Sequence, residues 1–163
     1  MSNTEKDFVK LINENHGLIH KVCFLYERND ESRKDLFQEI VLQLWRSFPT
    51  FKGQAKITTW MYRIALNTAI SSLRKTSRIP ESTDLNNLRF QIADDDESAS
   101  RREQYQMLEN AIKQLSEIEK AMIMLYLDEI PYEEIAETLG ITQNNVRVKM
   151  NRIREKLKTI MKA

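Results

Sequence analysis

Apolar residues recur at helical spacing along almost the whole chain. Phe8, Leu11, Ile12, Asn15, Ile19, Val22 and Tyr26 trace one stripe. A second segment, from about Glu31 to Phe48, directs Leu36, Phe37, Ile40, Val41, Leu44 and Trp45 toward a core. Pro49 stops it, because proline lacks the N–H that the next turn needs. A loop with Gly53 follows, then a helix from roughly Thr58 to Arg74 whose core side carries Tyr62, Ala65, Leu66, Ala69 and Leu73. Pro80 closes this first domain, predicted over residues 1–79. Residues 80–100 are polar and aperiodic, with the run Asp94, Asp95, Asp96, Glu97, and read as a linker.

Residues 101–163 predict a second domain of four helices. Tyr105, Leu108, Ile112 and Leu115 mark the first. Ser116 with Glu119 forms a candidate capping box for the next, which is apolar nearly all round from Ala121 to Leu127 and therefore central. Pro131 suits the first position of a short third helix with Ile135, Ala136 and Leu139 inward. Gly140 supplies a tight turn, Ile141 plugs the core and Thr142 caps the final helix. Short helix, glycine turn and longer basic helix make a helix-turn-helix. The predicted fold class is all-α, with two small helical domains.

Composition sharpens this picture. The chain has 163 residues and a formal net charge of +1, which hides strong segregation. Between Glu39 and Glu81 there is no acidic residue, while Arg46, Lys52, Lys56, Arg63, Arg74, Lys75 and Arg78 are interleaved with Trp45, Phe48, Phe51, Trp60 and Tyr62. Cations that follow a phosphate backbone beside rings on which bases stack are what single-stranded nucleic acid requires. The stretch from Tyr105 to Gln143 is acidic. The end of the chain is basic again, with seven Lys and Arg from Arg147 to Lys162 against Glu155. The single Cys23 cannot form an intramolecular disulfide, and no long apolar run or signal-peptide pattern occurs. A cytoplasmic protein without membrane insertion is expected.

Three faces carry candidate chemistry. On the last helix Val146, Met150, Ile153 and Leu157 face the core, leaving Asn144, Arg147, Val148, Asn151 and Arg152 on the opposite side. Arg pairs with guanine, Asn with adenine, and Val can meet a thymine methyl in the major groove. Lys149, Arg154 and Lys156 suit phosphates. The alternative is a solvated basic helix end that complements the helix dipole. On the helix from Thr58, the side away from the core presents Trp60, Arg63, Ile64, Asn67, Ser71 and Arg74, although Trp60 could be ordinary core. The adjacent loop from Phe51 to Ile57, with Lys52, Gly53 and Lys56, could shape a pocket for an unstacked base. On the second helix Leu42 stands apolar among Asp35, Gln38, Glu39 and Arg46, either a lone exposed Leu or the centre of a protein contact. His16, His20 and Cys23 could share one side of a helix as metal ligands, but no fourth ligand is near. No phosphate-cradling glycine loop, nucleophile elbow or acid/base pair is visible, so neither catalysis nor a cofactor is expected.

The run Asp35, Leu36, Phe37, Gln38, Glu39, then Leu44, Trp45, Phe51, Lys52, Gly53, and Thr59, Trp60, Met61, Tyr62, Arg63, Ile64, Ala65, Asn67 resembles conserved region 2 of bacterial sigma factors. Tyr132, Glu133, Glu134, Ile135, Ala136, Leu139, Gly140, Ile141, followed by Val146, Arg147, Arg152 and Arg154, resembles their region 4. The length and the order of the two blocks resemble the small extracytoplasmic-function group.

That resemblance implies that Asp35, Gln38, Glu39 and Leu42 dock on the clamp coiled coil of the RNA polymerase beta-prime subunit. It implies that Phe51 to Arg74 captures the melted minus-ten strand, and that Thr142 to Arg154 reads minus-thirty-five duplex. It also implies a beta-flap contact, a linker threading the RNA exit channel, and an anti-sigma partner. Primary sigma factors place two adjacent Trp at the melting wedge; here the pair is Trp60 and Met61, so strong, promiscuous strand opening is not implied. Two rival readings are a duplex-binding regulator using the helix-turn-helix alone, which leaves the acid-free aromatic stretch unexplained, and a sigma mimic that titrates an anti-sigma factor, which leaves both basic faces unexplained.

Overall fold

The computed structural model describes residues 2–76 and 99–162. Arg78, Pro80 and the acidic run of the expected linker lie outside the described residues. Ala99 and Ser100, assigned to that linker by sequence, instead begin a helix. The chain divides into two compact units, residues 1–90 and 91–163. The described residues contain α-helices, one 3-10 turn and no strand.

In the first unit, α1 (Asn3–Tyr26), α2 (Asp30–Ser47) and α3 (Ile57–Thr76) each pack on the other two. The Ser2 hydroxyl accepts from the Glu5 amide at 3.2 Å, and the Asn29 side chain accepts from the Ser32 amide at 2.7 Å, so α1 and α2 both start on side-chain caps. Asn15 breaks the regularity of α1 (φ −126°, ψ 17°), its Nδ2 donating to the Leu11 carbonyl at 2.9 Å. A short polar side chain that bonds locally to backbone competes with the helix ladder in this way. Pro49 sits in the 3-10 turn Phe48–Thr50 that ends α2. Ile19, Val22, Ile40, Leu44, Met61, Leu66 and Ala69 fill the core. Leu73, expected inside, is half-buried. Trp45, also expected inside, is exposed: the buried line of α2 runs along Leu36, Ile40 and Leu44, and Trp45 lies beside it.

In the second unit, α4 (Ala99–Lys113), α5 (Glu117–Leu127) and α6 (Tyr132–Leu139) surround α7 (Gln143–Lys162). The capping box forms: the Ser116 hydroxyl accepts from the Glu119 amide at 3.2 Å, and the Glu119 carboxylate accepts from the Ser116 amide at 2.8 Å. Ala121, Met122, Ile123 and Leu125 of α5 are buried, as its apolarity predicts, whereas Leu127 at its end is 54% exposed. Pro131 is the residue before α6 rather than its first helical position. Ile135 and Ala136 are buried, but Leu139 is only half-buried. Thr138 takes the inner position, its hydroxyl donating to the Glu134 carbonyl at 2.7 Å. A hydroxyl satisfied within its own helix turn can be buried at little cost. Gly140 adopts the left-handed conformation (φ 69°, ψ 33°), and the Ile141 amide reaches back to the Ala136 carbonyl at 3.1 Å. The Thr142 hydroxyl caps α7 by accepting from the Asn145 amide at 3.1 Å.

Candidate protein and nucleic-acid interfaces

Helix α2 is a ridge between two grooves. On one side Phe8, Val9, Phe37, Gln38, Val41, Leu42 and Trp45 line an apolar groove of about 480 Å³ with Glu5 at its rim. Val9, Leu42 and Trp45 stay 44%, 40% and 39% exposed. Leu42 is therefore not a lone surface Leu but part of a contiguous apolar patch, and such patches on soluble chains mark contact sites. Sequence reasoning missed Val9 and Trp45 here; Trp45 was assigned to the core by its helical spacing. On the other side of α2, Asp35 and Glu39 line a polar groove with Asn67, Thr68, Ser71 and Lys75 of α3. Glu39 accepts from the Gln43 side-chain amide at 2.9 Å.

Helix α3 sends adjacent residues to opposite sides. Met61 is fully buried, whereas Trp60 is half-buried against Phe51, with ring centroids 5.0 Å apart, and Phe48, at 6.3 Å. Phe48 in turn meets Phe8 at 5.4 Å, and Phe8 meets Trp45 at 5.0 Å. One run of rings thus extends from the α1–α2 groove to the start of α3, and it fixes Trp60 without covering it. Arg63, Asn67, Ser71 and Arg74 are exposed on the same side of α3, and Ile64 is half-buried. Lys52 and Lys56 are exposed on the preceding loop, where Gly53 has φ +73°. That left-handed backbone suits glycine. No acidic residue lies within α3.

On α7, Val146, Met150, Ile153 and Leu157 are buried, and Asn144, Arg147, Val148, Lys149, Asn151 and Arg152 are all exposed, as is Thr142 just before it. Arg154 departs from this set. It is half-buried, its Nη2 donates to the Tyr132 hydroxyl at 3.1 Å and its guanidinium lies 4.7 Å from the Tyr126 ring centre. Lys156 reaches back to the Glu119 carboxylate at 3.0 Å. Burial pushes the Glu119 acid up, but the Ser116 amide and the Lys156 ammonium outweigh it and hold the carboxyl below its ordinary range.

His16, His20 and Cys23 do not form a metal centre. The two imidazoles meet edge to face at 5.7 Å, His20 stacks on Phe37 at 4.6 Å, and Cys23 is buried. No cluster of three potential ligands occurs among the described residues. Burial, with the nearby Glu27 carboxylate, pushes the Cys23 thiol up to about 12. Among the described residues no helix is long and apolar enough to cross a membrane.

Two family models match the chain in order. Sigma-70 region 2 covers residues 11–79 and sigma-70 region 4 covers residues 105–157. The ECF RNA polymerase sigma-E factor of Escherichia coli strain K12 is 30% identical over 149 residues, covering 83% of this chain and 78% of that protein. The RNA polymerase sigma factor SigV of Bacillus subtilis is 26% identical over 156 residues, covering 91% of this chain and 87% of that one. In fold, the chain is similar to the sigma factor RpoE from Bartonella quintana, solved in complex with the anti-sigma factor NepR, with a TM-score of 0.76 at 19% identity over 97% of this chain and 98% of the other. With both sigma regions present in order, and with relatives matched over most of their length, the chain belongs to the ECF RNA polymerase sigma factors, which direct promoter-specific transcription initiation.

Proposed function

We propose that the three surfaces divide the work of initiation. The α2 ridge of Asp35, Gln38, Glu39 and Leu42, extended by Val9 and Trp45, docks core RNA polymerase at its beta-prime clamp. The exposed side of α3, with Phe51, Lys52 and Lys56 of the preceding loop, takes the melted minus-ten strand. Thr142, which caps α7, and the α7 residues Asn144, Arg147, Val148, Lys149, Asn151 and Arg152 read minus-thirty-five duplex, and the second domain, residues 101–163, also meets the beta flap. The linker, which ends before α4 begins at Ala99, joins the two domains through the polymerase channel. The protein acts in the cytoplasm and takes an anti-sigma factor as a partner; the anti-sigma partner of its structural relative supports the second of these.

The observation that carries this reading is the half-exposed Trp60, braced by Phe51 and Phe48 at the head of an α3 face with Arg63, Asn67, Ser71 and Arg74; α3 itself holds no acid, although Asp35 and Glu39 of α2 border Asn67 and Ser71. A simple duplex-binding regulator has no use for it. Trp60→Ala should remove stacking worth about 1 to 3 kcal/mol per base. In holoenzyme on duplex promoter DNA, thymine reactivity to permanganate in the melted region should therefore fall, and a pre-melted template should recover part of it. Equal reactivity in the wild type and a folded Trp60→Ala variant would remove α3 from strand capture.

A further inference from the structure

We propose that Arg154 is a positioning residue, which clamps the recognition helix to the rest of its domain instead of contacting phosphate. It resembles the other cations of α7 in sequence, lying two turns beyond Arg147 on one flank of the helix. Its surroundings differ from theirs. Tyr126 belongs to α5, Tyr132 opens α6 and Arg154 belongs to α7, so one side chain joins three helices. The Arg154 Nη2 donates to the Tyr132 hydroxyl at 3.1 Å, the guanidinium stands 4.7 Å from the Tyr126 ring centre, and the two tyrosine rings are 6.3 Å apart. A planar guanidinium can stack with its face and donate with its edge at the same time, which a lysine ammonium cannot reproduce. Its face is committed to Tyr126 and an Nη2 donor to Tyr132, so a phosphate could draw only on its remaining N–H donors.

The clamp answers a specific weakness of the fold. Helix α6 has only 8 residues and buries Ile135, Ala136 and Thr138, so its packing against α7, though close, spans only about two turns. The glycine turn that follows permits the sharp reversal but does not by itself fix the rotation of α7. A contact from α7 to the first residue of α6, backed by a ring on α5, constrains that rotation at the far end from the turn. The face bearing Arg147, Val148 and Asn151 is thereby held in one orientation. This inference rests on the duplex-reading role of α7 only for what the clamp serves.

Two measurements test it, on the full chain and on holoenzyme assembled from it. In the free chain, Arg154→Gln should speed amide hydrogen exchange in α6 and α7 about tenfold, as expected for losing one partly buried cation–ring contact and one hydrogen bond. Tyr126→Leu should do much the same, and the double variant should add little to either single change. Arg154→Lys should restore little. In holoenzyme on promoter DNA, the slope of log affinity against log salt should stay unchanged for Arg154→Gln, while Lys149→Ala should flatten it by about 0.9. A flattening of that size for Arg154→Gln that Arg154→Lys reverses would overturn the clamp, as would additive or unchanged exchange rates. If Lys149→Ala left the slope unaltered, the duplex assignment of α7 would fall. The exchange measurement contains no DNA and would still decide the clamp.

Discussion

At the scale of single residues, the same side-chain type does different work according to its surroundings. Leu42 and Leu44 lie two positions apart on α2, yet Leu44 is fully buried and Leu42 is 40% exposed in an apolar groove. Cys23 is the clearest case of chemistry silenced by position. A thiol becomes a nucleophile only as thiolate, and with its ionisation pushed up to about 12 the thiolate is negligible at neutral pH. Cys23 should therefore resist a thiol-specific reagent at pH 8 in the native chain and react at once after denaturation. Rapid stoichiometric labelling of the folded protein would contradict this assignment and reopen a redox role for the residue.

At the scale of elements, the ends of the helices carry as much information as their faces. Glu129 adopts φ 60° in the turn after α5, and the Ile130 amide closes that turn on the Leu125 carbonyl at 3.0 Å. This is a left-handed helix end without the glycine that usually marks one, which is why the sequence offered no sign of it. Helix α7 divides along its length as well as around it. Its exposed N-terminal half holds the candidate base-reading groups, while Arg154 and Lys156 are engaged with α5 and α6. Arg147→Ala and Arg152→Ala should each cost about 1 to 3 kcal/mol at one promoter position and little elsewhere. Binding measured on a set of single-base promoter variants separates this from a uniform loss across all sequences, which would reduce both residues to general electrostatic contacts.

At the scale of the whole molecule, polymerase docking and DNA recognition are assigned to separate surfaces, so they should fail separately. Gln38→Ala with Leu42→Ala removes exposed groups from the groove edge without opening the core. Interface groups of this kind cost about 1 kcal/mol or more each when they sit near the centre of a contact. The double variant should bind core polymerase at least about tenfold more weakly, while keeping the helical circular dichroism of the wild type. Arg147→Ala should assemble with core normally and lose promoter preference only. Titration of labelled chain against core polymerase checks both; unchanged affinity of the double variant would move the docking surface away from α2.

Much of this was legible in the chain before folding was considered. Helical periodicity placed the seven α-helices of the described residues, because a surface α-helix buries one stripe and the stripe must repeat every 3.6 residues. Local capping chemistry was equally readable at Ser116 with Glu119 and at Gly140, since both act within a few residues. The acid-free stretch pointed to nucleic acid through its cations and the aromatic rings between them. Contacts between helices were not legible, because periodicity says which side of a helix is apolar and not whether another helix covers it. Trp45 falls on the apolar stripe of α2 and is left exposed, joining Val9 from α1 in a groove that no local pattern marks. Arg154 reads as one cation among seven at the end of the chain, and only the placement of Tyr126 and Tyr132 on neighbouring helices turns it inward. The sequence determined the helices and their charge; tertiary packing decided which side chains remained available at the surface.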